Sequence, residues 1–128
     1  MKHALQLIAA LALLLVNGCA TFTIKPGSDP NVVVAEYTSE LSLKVFDSFL
    51  KWERENDAVL RQVDPTIHKT ANDIRDNGKR WIAELRTATK AYKANKSADN
   101  LQTLLIAQQF LDLAIAEVRI WAAKGATP

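Results

Sequence analysis

One cysteine and two histidines supply every thiol and imidazole in this chain of 128 residues. His3 and Cys19 lie in or at the end of an apolar N-terminal stretch, so His68 is the sole imidazole of the remainder. It follows Asp64 by four residues at a helix start, where a solvated or weakly paired ring is the expected state. A metal or hydrolytic centre needs several convergent ligands, and the spacings that supply them are missing: neither H-E-x-x-H nor Glu-x-x-His occurs, and there is no cysteine cluster. The chain has four glycines and no G-x-S-x-G, P-loop or G-x-G-x-x-G. Glu53, Glu55 and Asp57 crowd one stretch, but Arg54 and Arg61 stand among them, which reads as a solvated charged face rather than an acid/base pair. The expectation is a protein without catalytic residues, metal ligands or cofactor.

A second pattern concerns binding. Arg75, Lys79, Arg86, Lys90 and Lys93 recur at spacings that confine them to roughly 60° of a helix at 100° per residue. Such a strip can dock anionic headgroups, acidic glycan or an acidic partner. It can equally be a solvent-facing display whose long stems cover the edge of an apolar stripe.

The first nineteen residues carry a third kind of chemistry. Lys2 is followed by an apolar run from Ala4 to Val16, interrupted by Gln6, and then by Val16-Asn17-Gly18-Cys19. The run is shorter than the roughly 20 residues that span a bilayer as a helix. This stretch resembles a bacterial lipoprotein signal peptide with its lipobox. The resemblance implies cleavage after Gly18, acylation of Cys19 with palmitate-type chains, and a stable tether, since more than one acyl chain is needed for lasting anchoring. With Ala20 rather than Asp following the cysteine, it further implies the outer membrane, facing the periplasm. Acylation of Cys19 would leave the mature domain without a thiol, and hence without a disulfide. Of 16 Lys and Arg, loss of Lys2 leaves 15 against 14 acidic groups, a net charge of +1 that gives no reason to expect nucleic acid.

These residues must be positioned by helices. Residues 19–29 form a tether rich in Thr, Pro, Gly and Ser, with Phe22 and Ile24 as its apolar members. Asp29-Pro30 and Asp64-Pro65 are helix-start signals, and Asn95 to Asn100 is a turn with Ser97 or Asp99 as cap. Three helices are therefore expected, over about 30–62, 65–95 and 98–124, within a domain spanning 30–125. The first stripe is Val34, Tyr37, Leu41, Val45, Phe49, Trp52, Val59 and Val63, missing one turn at Asn56 and widened by Phe46 and Leu50. The second is Ile67, Ala71, Ile74, Gly78, Trp81, Leu85, Ala88 and Tyr92, with Gly78 marking close approach or room for an indole. The third is Leu101, Leu104, Ala107, Leu111, Ala114, Val118 and Trp121, doubled by Ile106, Phe110, Leu113 and Ile120. The last helix should thus be the most buried, or offer one face to a partner. Short connections make the fold all-α, an up-down-up antiparallel three-helix bundle with coiled-coil-like seams. Trp52 and Trp121 should share one end.

A tethered bundle of this kind is expected to act by protein binding or as a structural module, through an envelope partner or self-association, with no small-molecule substrate. Alternatives are an exclusion lipoprotein of phage or plasmid type, blocking an outer-membrane receptor, and an enzyme or accessory of cell-wall metabolism.

Overall fold

A computed structural model describes residues 23–126. The expected leader 1–18, the expected lipidation site Cys19 and residues 20–22 lie outside the described residues. Residues 23–29 form no helix. Gly27, at φ +84°, lets the chain turn so that the Ser28 N–H reaches the Lys25 carbonyl at 3.1 Å.

All elements among the described residues are helices: α1 (Pro30–Glu55), α2 (Asp57–Val63), α3 (Thr66–Ala94) and α4 (Ala98–Ala126). Asp29 caps α1 by accepting from the Asn31 N–H at 3.0 Å, with Pro30 in the first turn, where its missing N–H costs nothing. Asp64 does the same for α3 through the Thr66 N–H at 3.1 Å, and Ser97 Oγ accepts from the Asn100 N–H at 3.2 Å to start α4. The cap of α4 is therefore Ser97 rather than Asp99.

The first helix is not continuous to residue 62. At Asn56 the side-chain amide donates to the Trp52 carbonyl at 2.8 Å, and the backbone N–H of Asn56 donates to the same carbonyl at 3.1 Å. Asparagine competes with the helix for its own acceptors and here ends α1. The chain resumes as α2 with a new rotation, which turns Leu60 toward the core and leaves Val59 and Val63 exposed, contrary to their assigned places on the stripe.

The three long helices, each about 40 Å at 1.5 Å per residue, pack on one another as a helical bundle. Toward the start of α1 the core mixes Val32, Tyr92 and Leu104 with the small residues Ala35, Ser39, Ser42, Ala88 and Thr89; Ser39, Ser42 and Thr89 hide their hydroxyls by donating to carbonyls four residues back. At the other end Phe49, Trp52, Ile67, Leu111 and Trp121 fill it. Across α3 and α4 the Trp121 indole N–H donates to Thr70 Oγ1 at 3.1 Å, and Thr70 donates to Glu117 at 2.6 Å.

Trp81 is not a core residue of α3. The buried line runs Ile74, Gly78, Ile82, Leu85, and two successive steps of four move Trp81 to the flank, where it is half-buried between Phe46 (6.4 Å, edge-on) and Phe110 (5.1 Å, edge-on). Gly78 does mark a close approach, but to Phe46: a Cβ there would stand 3.2 Å from its ring. On α4 the buried line is Leu104, Leu111, Ile115, Val118 and Ala122, so Ile115 and Ala122 join the core while Leu101, Ala107 and Ala114 are half-buried.

Candidate functional site

Glu53 is 3% exposed, not part of a solvated face. It lies four residues after Phe49 and seven after Phe46, on the core side of α1. A carboxylate taken out of water must be paired, and two side chains of α3 do this. Arg75 Nη2 donates to Oε2, and His68 Nδ1 lies 2.6 Å from Oε1. With Glu53 as acceptor, the imidazole proton belongs on Nδ1, and Nε2 is buried with no hydrogen-bond partner among the described residues. Asp57, the first residue of α2, stands 3.7 Å from the same ring and holds Arg61 at 2.9 Å. Its carboxyl titrates below the ordinary aspartate range, chiefly through the Arg61 hydrogen bond. His68 is thus tied to Glu53 rather than left in solvent or paired with Asp64. The cluster joins the end of α1, the start of α2 and the start of α3, the place where the chain bends.

Glu53, Asp57 and His68 offer three ligand atoms within 4.8 Å of one another, the described residues best placed to hold a divalent cation. The arrangement fits a cation poorly. Both Glu53 oxygens are already occupied, and the Arg75 guanidinium would sit beside any added positive charge. The geometry matches an ion cluster that locks three elements together.

The basic strip does not stay together as one surface. Arg75 is drawn into the Glu53 cluster and also donates to Asn72 at 2.7 Å. Arg86, Lys90 and Lys93 share an open cleft of about 370 Å³ between α1 and α3 with Glu36 and Glu40 opposite them. Lys93 Nζ reaches Glu36 at 3.0 Å. Lys79 is exposed and does not line that cleft. A docking strip for anions would therefore act through Arg86 and Lys90, beside two carboxylates.

The largest departure from a soluble surface is the outer face of α4. Leu105, Ile106, Phe110, Leu113 and Ile120 are 45–63% exposed. From Asn100 to Leu111 the helix has no charged residue. Beside it an apolar groove of about 630 Å³ runs between α3 and α4, walled by Ala83, Thr87 and Ala91 on one side and Ile106 and Phe110 on the other. By length and composition α4 is apolar enough to cross a membrane, yet its other face fills the bundle core. The sequence pointed to this second apolar line, and burial was one of two ways to satisfy it. In the structure it is unburied.

Compared with known protein families, curated proteins and solved structures, the chain matches none.

Proposed function

We propose that this chain is a lipid-anchored binding module of the bacterial envelope, an up-down-up antiparallel three-helix bundle that presents the outer face of α4 to another apolar surface. The observation that carries the reading is that face. Five large apolar side chains on one helix are left in water while the opposite side of the same helix packs normally. A contiguous exposed patch of this kind on an otherwise well-packed domain marks an interaction surface. The leader supports the address: an apolar run ending at Asn17-Gly18-Cys19 places the sole thiol where acylation would occur. Ten residues, 20–29, separate Cys19 from α1, and the turn at Lys25–Ser28 shortens a reach that full extension would cap at ~35 Å. Cys19, acylated at the outer membrane, would be the attachment point, and the bundle would act in the periplasm without cofactor or substrate.

The test is photo-crosslinking in intact cells. A photoreactive residue at Ile106, Leu113 or Ile120 is expected to yield a discrete adduct, and one at Lys44 or Lys69, which are exposed elsewhere, none. Equal yields from both sets, or none, overturn the binding reading. Mass spectrometry of the same preparation tests the address independently, with an acylated Cys19 as the new N-terminus expected.

A further inference from the structure

The outer face of α4 is not merely apolar but periodic. Gln102, Ile106, Gln109, Leu113, Ala116 and Ile120 are all exposed and follow one another at steps of four, three, four, three and four. On the opposite side Leu104, Gln108, Leu111, Ile115, Val118 and Ala122 keep the same alternation and pack into the bundle. A step of 3.5 residues is the seam of a coiled coil. One helix thus carries two seams, and the second is unmatched among the described residues.

This periodicity selects a helix as the occupant over a bilayer. Two glutamines lie on the outer line, where coiled coils tolerate polar residues as register markers. An interfacial helix would need a polar face rich in Lys and Arg. Along α4 the charged residues are Asp99, Asp112 and Glu117 against Arg119 and Lys124, which gives anionic headgroups nothing to attract.

The flanking charges then identify the helix. Asp112 and Arg119 lie seven residues apart on one edge of the outer seam, and Glu117 and Lys124 seven apart on the other. Two copies in parallel would set Asp112 against Glu117 of the second copy and Arg119 against Lys124, like against like in both cases. Two copies in antiparallel pair equivalent edges, so that Asp112 faces Arg119 and, by the two-fold, Arg119 faces Asp112. The same register places Leu113 over Ala116, large against small, and again twice. We infer that the occupant of this face is a second copy of the chain, packed α4 to α4 in antiparallel about a two-fold axis between residues 113 and 116. This inference rests on the binding reading above and names its partner. With the axis along the membrane normal the bundles lie flat, and both tethers reach one bilayer.

The experiment uses the full-length protein extracted in mild detergent, with mass read by sedimentation. The wild type is expected to be a dimer and Leu113→Lys a monomer with an unchanged helical spectrum. Asp112→Arg is expected to weaken association about tenfold, because it meets Arg119 twice, and Asp112→Arg with Arg119→Asp to restore it. The charge variants lie on the exposed surface and so test the inference even if Leu113→Lys fails to fold. A monomeric wild type overturns it. So does strengthening by Asp112→Arg, the result a parallel pair would give through Glu117, or a double variant no tighter than the single. If the photo-crosslinked adduct from Leu113 has the mass of a different protein, the second copy is excluded while the binding reading stands; with no adduct, both fall.

Discussion

The Nδ1 atom of His68 stands 2.6 Å from Oε1 of Glu53, joining two helices through a carboxylate that is almost wholly out of water. Arg75 holds the other oxygen. Removing one member of such a cluster is more damaging than removing the whole, because it strands a buried charge. Arg75→Met is therefore expected to destabilise the protein by roughly 3 kcal/mol, with Glu53 left to His68 alone. The double variant Glu53→Leu/Arg75→Met should cost distinctly less than the two single losses combined. Urea unfolding of the four proteins in a double-mutant cycle measures this, and additivity would show that the cluster is not coupled.

Acid should loosen the joints between helices. The carboxyl of Asp29 is held below its ordinary value of 3.8 by the hydrogen bond from Lys96, that of Asp57 by Arg61, and that of Asp64 by the Thr66 hydroxyl. A lowered native value means that the unfolded chain binds protons first, so this stability is present above 3.8 and disappears as pH falls through the lower native values. Asp112 works in the other direction, its carboxyl pushed up by burial against the pull of Gln108 and Arg119. Its penalty at neutral pH is relieved as pH falls through a value above 3.8. The urea midpoint should therefore change little down to about pH 4 and drop below it. Asp29→Asn, Asp57→Asn and Asp64→Asn combined should flatten the drop. An unchanged acid limb in that variant would remove these three groups from the account.

Much of this architecture could be read from the sequence because it is local. Caps such as Asp29 before Pro30 and Asp64 before Pro65 act over one turn, and stripes spaced three and four apart declare a buried face wherever the helix runs unbroken. What was not legible depended on rotation. A single asparagine at position 56 reset the phase of the chain, which moved Val59 and Val63 outward. Two steps of four about Gly78 put Ile82, not Trp81, in the core. Glu53 could have been found, since it keeps the spacing of Phe46 and Phe49, but its identity as an acid argued for solvent. Its partners were decisive, and they come from a separate helix. The surroundings of the basic strip were out of reach for the same reason: Arg75 and Lys93 are engaged by carboxylates of α1 that no reading of α3 alone supplies.

The two tryptophans at the aromatic end make unequal use of their indoles. Both are buried, yet Trp121 donates to Thr70 at 3.1 Å whereas Trp52 Nε1 has no partner among the described residues. Replacement by Phe removes comparable apolar area from each. At Trp121 it also breaks a hydrogen bond and loosens the Thr70–Glu117 pair, while at Trp52 it removes an unsatisfied donor. Trp121→Phe should accordingly cost about 1 kcal/mol more than Trp52→Phe. Equal losses in urea unfolding would mean that the Thr70 contact contributes nothing net.

Gln108 occupies a seam position between Leu104 and Leu111, both fully buried, and its Oε1 is buried without a partner among the described residues. A polar acceptor left dry in that place opposes folding, whereas a leucine of similar volume would add apolar contact. Gln108→Leu is expected to stabilise the protein by about 1 kcal/mol. The substitution has a second consequence, because the hydrogen bond from Gln108 restrains the upward shift of Asp112. With it gone, the Asp112 carboxyl should titrate higher still, which carbon-detected NMR titration of the side chain resolves. Part of the gain should then be lost at neutral pH and recovered in mild acid, the sign expected when a native carboxyl binds its proton more tightly than the unfolded chain does. A variant less stable than wild type at every pH would show instead that Gln108 is a satisfied member of the core and that the seam tolerates it for its hydrogen bonds.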